Sequence, residues 1–172
     1  MAIKLIRLTN EYRRQLFEMM DEWKAKALKP DEHTPWAIFK NDYHDFDYYL
    51  ANLDLKQPKE GKVPDTVLFA YDEERDIFVG AVNIRHYLNE GLLATGGHIG
   101  DGIRPSERGK GYGNLIVSLA LEECRKLGID KVLMTCDKTN VASRRTIINN
   151  GGIFENEVSD GDEVVQRFWI NL

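Results

Sequence analysis

The chain has 172 residues, which suits a single domain, 1–172, with a core of its own. Hydrophobic content of 42%, charged content of 30% and a net charge of −5 describe an ordinary globular protein without the basic block of a nucleic-acid binder. No apolar run approaches the ~20 residues of a membrane span, Met1–Arg14 holds no apolar signal core, and Cys124 and Cys136 lack disulfide or zinc spacing, so a cytoplasmic protein with reduced thiols and no membrane, nucleic-acid or metal partner is expected.

Ile3–Leu8 reads as a first strand, and Thr9 or Asn10 as the cap of a helix, Glu11–Leu28. Its Leu16, Phe17, Met20, Trp23 and Ala27 recur at helical spacing. Pro30 and Pro35 bracket a loop, a second helix covers about Asp42–Asn52, and Lys56–Asp65 is a loop with Pro58, Gly61 and Pro64. The period then shortens. Thr66–Tyr71 and Ile77–Tyr87 form a hairpin about the charged turn Asp72–Asp76, and Ala94–Arg104 is a third strand. A helix, Asn114–Leu127, stops at Gly128, and Lys131–Cys136 completes a βαβ-like crossover. Asn140 caps Val141–Asn149, Gly151-Gly152 ends that helix, and Ile153–Val158 with Val164–Leu172 close the chain as strands. This order predicts an α/β (α+β) fold, a mixed, mostly antiparallel central sheet of about six to seven strands with helices on both faces. The apolar closing strand offers an edge for a homodimer.

The stretch Arg108-Gly109-Lys110-Gly111-Tyr112-Gly113 stands between a strand and a helix. Glycines at a helix N-terminus let a row of backbone N–H groups approach an anion. The spacing excludes a P-loop, because Gly102 and Gly109 are too far apart and Gly111 follows Lys110. It also excludes a dinucleotide fingerprint, because the glycines give GxGxG rather than GxGxxG.

Arg108-x-x-Gly111-x-Gly113 after Ile103-Arg104-Pro105 resembles motif A of the GCN5-related N-acetyltransferase (GNAT) superfamily. Asn140-x-x-Ser143 opening a helix, and the closing Arg167-Phe168-Trp169-Ile170, extend the likeness to a branch of bacterial GNAT proteins without an agreed substrate. The resemblance implies acetyl-CoA as co-substrate, with its pyrophosphate held by Arg108, Gly109, Lys110, Gly111, Tyr112, Gly113 and Asn114, and its pantetheine arm near Asn140 and Ser143. It implies transfer of the acetyl group to a primary amine by direct attack, with a strand N–H near Ile103 polarising the thioester. A small-molecule acceptor is the leading expectation. A protein or peptide acceptor and a non-catalytic acyl-CoA sensor are the alternatives.

Three residues are candidates for the base that takes the amine proton: His98, Asp101 and Asp137. Each also has an ordinary structural reading, and strand alternation places His98 and Asp101 on opposite faces. Many GNAT enzymes carry a tyrosine seven residues after the asparagine as acid for the thiolate; here that position is Ile147, which leaves the acid unassigned. Trp36, Phe39, Tyr43, Phe46, Tyr48 and Tyr49, interleaved with Asp31, Glu32, Asp42, Asp45 and Asp47, hint at a cationic acceptor. Amphipathic packing explains the same pattern. His33, His44 and His86 have no metal-ligand spacing.

Overall fold

The computed structural model describes residues 2–26 and 34–172. The strands are β1 (Ile3–Ile6), β2 (Asp65–Asp72), β3 (Ile77–Arg85), β4 (Ile99–Ile103), β5 (Lys131–Asp137), β6 (Ile153–Asp160) and β7 (Glu163–Asn171). The helices are α1 (Arg13–Ala25), α2 (Phe46–Ala51), α3 (Tyr112–Lys126) and α4 (Val141–Asn149). β1-β2-β3-β4 form one antiparallel sheet and β5-β7-β6 a second. The expected single sheet is thus divided between β4 and β5, and the division creates the site described below.

Two cores flank the first sheet. On one side Leu16, Met19, Met20 and Trp23 of α1 and Phe46 and Tyr49 of α2 pack on Val67, Phe69, Phe78 and Ala81. On the other, Tyr112, Ile116, Val117, Ala120, Leu121 and Cys124 of α3 pack on Val82, Ile84, Val132 and Met134. Each such fully buried aliphatic chain contributes roughly 1.5–3 kcal/mol. Helices therefore cover both faces, as the alternation of strands and helices requires.

Several boundaries move for physical reasons. The expected strand Ala94–Arg104 begins only at Ile99, because Leu92–Gly96 coils into a π turn. Asn89 Oδ1 accepts the Leu92 N–H at 2.9 Å, and Gly97, at φ 69°, releases the chain into the strand. α1 starts at Arg13 after a 3-10 turn, and neither Thr9 nor Asn10 makes a side-chain cap; the expected end at Leu28 lies outside the described residues. α3 starts at Tyr112, two residues early, because Gly111 takes the cap position. Leu127, which apolar spacing in the sequence places on the inner side of this helix with Ile116 and Ala120, is exposed. The closing strand offers no edge for a dimer: β7 is paired on both sides, and the free edge belongs to β6. No helix among the described residues is long and apolar enough to cross a membrane.

Candidate active site

β4 and β5 touch at one point and then part. His98 N–H donates to Leu133 O at 2.8 Å, and Leu133 N–H donates back to His98 Nδ1 at 2.9 Å. Thr135 Oγ1 adds a bond to Thr95 O at 2.6 Å, and Arg167 clamps the same π turn through Leu93 O. Beyond this seam no backbone bond joins the two strands among the described residues.

The register dictates what the open edges present. Arg85 N–H bonds to His98 O (2.7 Å) and Arg104 N–H to Val79 O (2.8 Å). Antiparallel alternation then turns the N–H and C=O groups of Ile99, Asp101 and Ile103 away from β3. On the other edge, Lys138 N–H to Val164 O and Leu172 N–H to Asp130 O turn Leu133, Thr135 and Asp137 away from β7. Two strand edges with free polar backbone thus face each other across a wedge. The resulting cleft measures about 1070 Å³, at the upper end of ordinary ligand pockets and suited to a long ligand.

The wedge opens onto the glycine stretch. Gly109 (φ 76°) and Gly111 (φ 86°) have left-handed backbone, which glycine adopts without a Cβ penalty. No side chain caps α3, so its first N–H groups remain available to an anion. Arg108, Gly109, Gly111, Tyr112, Gly113 and Asn114 line the cleft, as does Ile103. Lys110 lies outside the lining and donates to Glu107 Oε2 at 3.2 Å. Asn140 and Ser143 line the opposite wall; Asn140 Oδ1 accepts the Ser143 N–H at 3.1 Å. These features suit a ligand with phosphates at one end and amide groups along an extended arm.

The turn before α3 is anchored by residues the sequence reading missed. Arg75 donates to both oxygens of Glu107 (3.0 and 2.8 Å), to Asp72 Oδ2 (2.6 Å) and to the Tyr112 hydroxyl (2.8 Å). Arg75 beside it, then Lys110, hold the buried Glu107 carboxyl below its ordinary pKa. Arg75→Ala leaves this carboxylate largely uncompensated and is expected to cost about 2–3 kcal/mol in a denaturant titration, discounted for the half-exposed arginine. Arg75→Lys is expected to recover only part of this, because it cannot make the bidentate fork. The clue in the sequence was the charged turn Asp72–Asp76, read only as a loop.

The base candidates separate by environment. Asp101 lines the cleft, has no hydrogen-bond or ion-pair partner among the described residues, and is pushed up to about 6 by burial. Asp137 lines the cleft and accepts the Asn140 N–H through its carbonyl at 2.9 Å. His98 is 5% exposed and outside the lining; its Nδ1 is committed to Leu133, and burial, then the Arg85 charge, lower its pKa. Ile147, on α4, is fully buried in the core shared with α3 and does not line the cleft.

The aromatic segment does not form a cation cage. Tyr43, Phe46 and Tyr49 are buried in the α1–α2 core, and Tyr49 donates to Ile38 O at 2.8 Å. Exposed Trp36 is met by the Lys62 ammonium 4.3 Å from its ring centre. Asp31 and Glu32 lie outside the described residues. Among the described residues no group of three or more His, Cys, Asp or Glu side chains could hold a metal ion.

Comparison with solved structures places this geometry. The fold is similar to the microcin C7 self-immunity acetyltransferase MccE in complex with acetyl-CoA and AMP: TM-score 0.69, 16% identity, 99% of this chain and 93% of that one. It is similar to a spermidine N-acetyltransferase SpeG chimera from Vibrio cholerae and hSSAT: TM-score 0.65, 16% identity, 99% and 96% coverage. It is also similar to yncA from Salmonella typhimurium with its cofactor acetyl-CoA: TM-score 0.62, 16% identity, 100% and 95% coverage. No curated protein matches the sequence. The family model described as an acetyltransferase (GNAT) domain matches residues 3–153. With a splayed sheet, a glycine turn at the start of α3 and that match over most of its length, the chain belongs to the GNAT family of acetyltransferases.

Proposed function

We propose that this enzyme acetylates a primary amine of a small-molecule acceptor by direct attack, with both substrates bound together. The observation that carries the reading is the wedge itself: free N–H groups along β4 lead from an uncapped helix terminus to a partner-free carboxylate, Asp101. Bound acetyl-CoA supplies an activated thioester carbonyl and a thiol leaving group. Gly109, Gly111 and the first amides of α3 hold the pyrophosphate, and Arg108 adds positive charge. Asn140 and Ser143 flank the arm. The N–H groups of Asp101 and Ile103 point into the wedge and donate to the carbonyl oxygen as it gains charge. Asp101, ionised above pH 6, takes the amine proton directly or through water. A thiol with an ordinary pKa of about 8.5 leaves without a dedicated acid, which accommodates Ile147.

A thiol-release assay with acetyl-CoA and pooled amino acids, polyamines, aminoglycosides and peptides tests the reading. Turnover with peptides alone would overturn the small-molecule assignment. The donor site has its own test. In Gly111→Val an added Cβ meets nothing within 4 Å, so the cost to the fold is the strain of a side chain at φ 86°, and phosphate approach is lost. Acetyl-CoA affinity by calorimetry is expected to fall about 100-fold, or about 2.7 kcal/mol. Gly128→Val is the control: it imposes a like strain, at φ 78° in open space, outside the cleft. If both variants bind acetyl-CoA equally, the cradle is misassigned.

A further inference from the structure

Arg85, the last residue of β3, is a largely buried cation that feels the charge of Asp65 but makes no ion pair among the described residues. Among those residues only one of its nitrogens, Nη1, has partners, the carbonyls of Gly96 and Gly97 at a long 3.2 and 3.4 Å. Asp65, the carboxylate near enough to act on it, already accepts Leu55 N–H (2.7 Å) and Asn83 Nδ2 (2.8 Å). A guanidinium cannot shed its proton to escape burial, and an unpaired buried ion is costly.

The free side of this guanidinium faces the cleft. Arg85 and Gly100 both line it, and a Cβ built on Gly100 would stand 3.5 Å from Nη2. Glycine at 100 therefore leaves the arginine uncovered. Its place along β4 is also informative. Arg85 N–H bonds to His98 O at the seam, whereas the phosphate cradle follows Ile103 at the other end. From Gly100, beside which the guanidinium lies, to Ile103 are three strand steps, roughly 10 Å, beyond ion-pair reach, so the donor's phosphates do not neutralise Arg85. Nε and Nη2 remain as a planar fork, the geometry that receives a carboxylate in two parallel hydrogen bonds. Gly100 and Asp101 are consecutive, so the fork and the proton acceptor flank the same stretch of β4 from its two faces, and both line the cleft.

We propose that Arg85 recognises a carboxylate on the acceptor, so that the acceptors of this enzyme are amino-carboxylates, amino acids and their close relatives, rather than simple amines or polyamines. The proposal rests on the transferase reading above and narrows its acceptor.

The experiment compares glutamate, methionine and lysine with their α-amides and decarboxylated amines, and with spermidine. Wild-type kcat/KM is expected to favour the carboxylate member of each set about 100-fold. Arg85→Gln is expected to remove that preference by lowering the carboxylate acceptors alone, with acetyl-CoA affinity unchanged. Gly100→Ala, which covers the guanidinium without deleting it, is expected to reduce the preference in the same direction and serves if Arg85→Gln does not fold. Equal use of each matched set by wild type, spermidine as the best acceptor, or an equal loss for all three members in Arg85→Gln would overturn the proposal. Calorimetry of each amino acid into the wild-type protein with CoA present reads the site without turnover. Binding of acetyl-CoA but of no amino-carboxylate overturns the acceptor proposal alone, whereas failure to bind acetyl-CoA overturns the donor site on which it rests.

Discussion

Asp101→Asn is expected to lower kcat about 10²–10³-fold and, at the same time, to raise the thermal stability of the protein above pH 6. Both effects have one cause. Asp101 lies in the wedge without a partner, and burial raises its pKa to about 6 from an unfolded value of 3.8. The folded state therefore binds the proton more tightly than the unfolded chain does. That extra stability is fully present below pH 3.8, declines as pH rises, and is gone above about 6, where the carboxylate is ionised in a poorly solvated place. Asparagine keeps the shape and removes the charge. Allowing for the partial exposure of the group, the gain at pH 8 should be about 1–2 kcal/mol, against a full shift near 3 kcal/mol. In a domain of this size that amounts to roughly 2–8 °C in the melting temperature.

The pH profile separates catalysis from folding. In the wild type, kcat/KM should rise through a limb near pH 6, where Asp101 loses its proton. The stability difference between Asp101→Asn and wild type should vanish near pH 4 and grow to its full value by pH 7. A variant that loses activity without gaining stability at pH 8 would mean that another group compensates the charge. A variant that keeps its activity and its acidic limb would remove Asp101 as the base.

The glycine turn before α3 was legible because its geometry is local. Glycines at 109 and 111 are required where the backbone turns left-handed beside an anion, and Asn140 caps the helix it precedes. Element type was legible for the same reason: β2 and β3 are near-continuous apolar runs about a charged turn, and α3 repeats its apolar residues at helical spacing. The split of the sheet was not legible. It depends on which edge of β4 meets β5, and that is set by a pairing between residues 98 and 133 with no local signature. The latter part of the π turn, Ala94–Gly96, was read into the strand because the asparagine that coils it stands apart, at 89. In the sequence Arg85 belongs to a strand-end cluster, Arg85-His86-Tyr87, that could line the acceptor site or simply pack at the rim, and Arg75 is a turn charge. Their meaning lies in what surrounds them, the lack of an ion-pair partner among the described residues for the first and a buried Glu107 for the second.

His98 illustrates the difference between a residue suited to catalysis and one placed for it. Its Nδ1 accepts the Leu133 N–H where a strand carbonyl would ordinarily do so, and this bond with His98 N–H to Leu133 O forms the apex of the wedge. His98→Ala orphans a buried N–H, at about 1–3 kcal/mol, and leaves a void where a 5% exposed ring had been. The expected loss is about 3 kcal/mol in a denaturant titration, with weaker acetyl-CoA binding as the two strand edges lose their spacing. His98→Asn discriminates between roles, because its amide oxygen can occupy the place of Nδ1 but cannot act as a base. It should keep most of the stability and activity, and the kinetic limb near pH 6 that belongs to Asp101. Burial and the Arg85 charge lower the pKa of His98 from 6.5, so the seam's contribution is full above that value and fades as pH falls through the folded pKa. That loss has the opposite sign to the contribution of Asp101, and it should be absent in His98→Asn. If His98→Asn and His98→Ala instead lose activity alike and lose the limb near pH 6, the proton acceptor is the histidine, and the seam is held by the backbone bond alone.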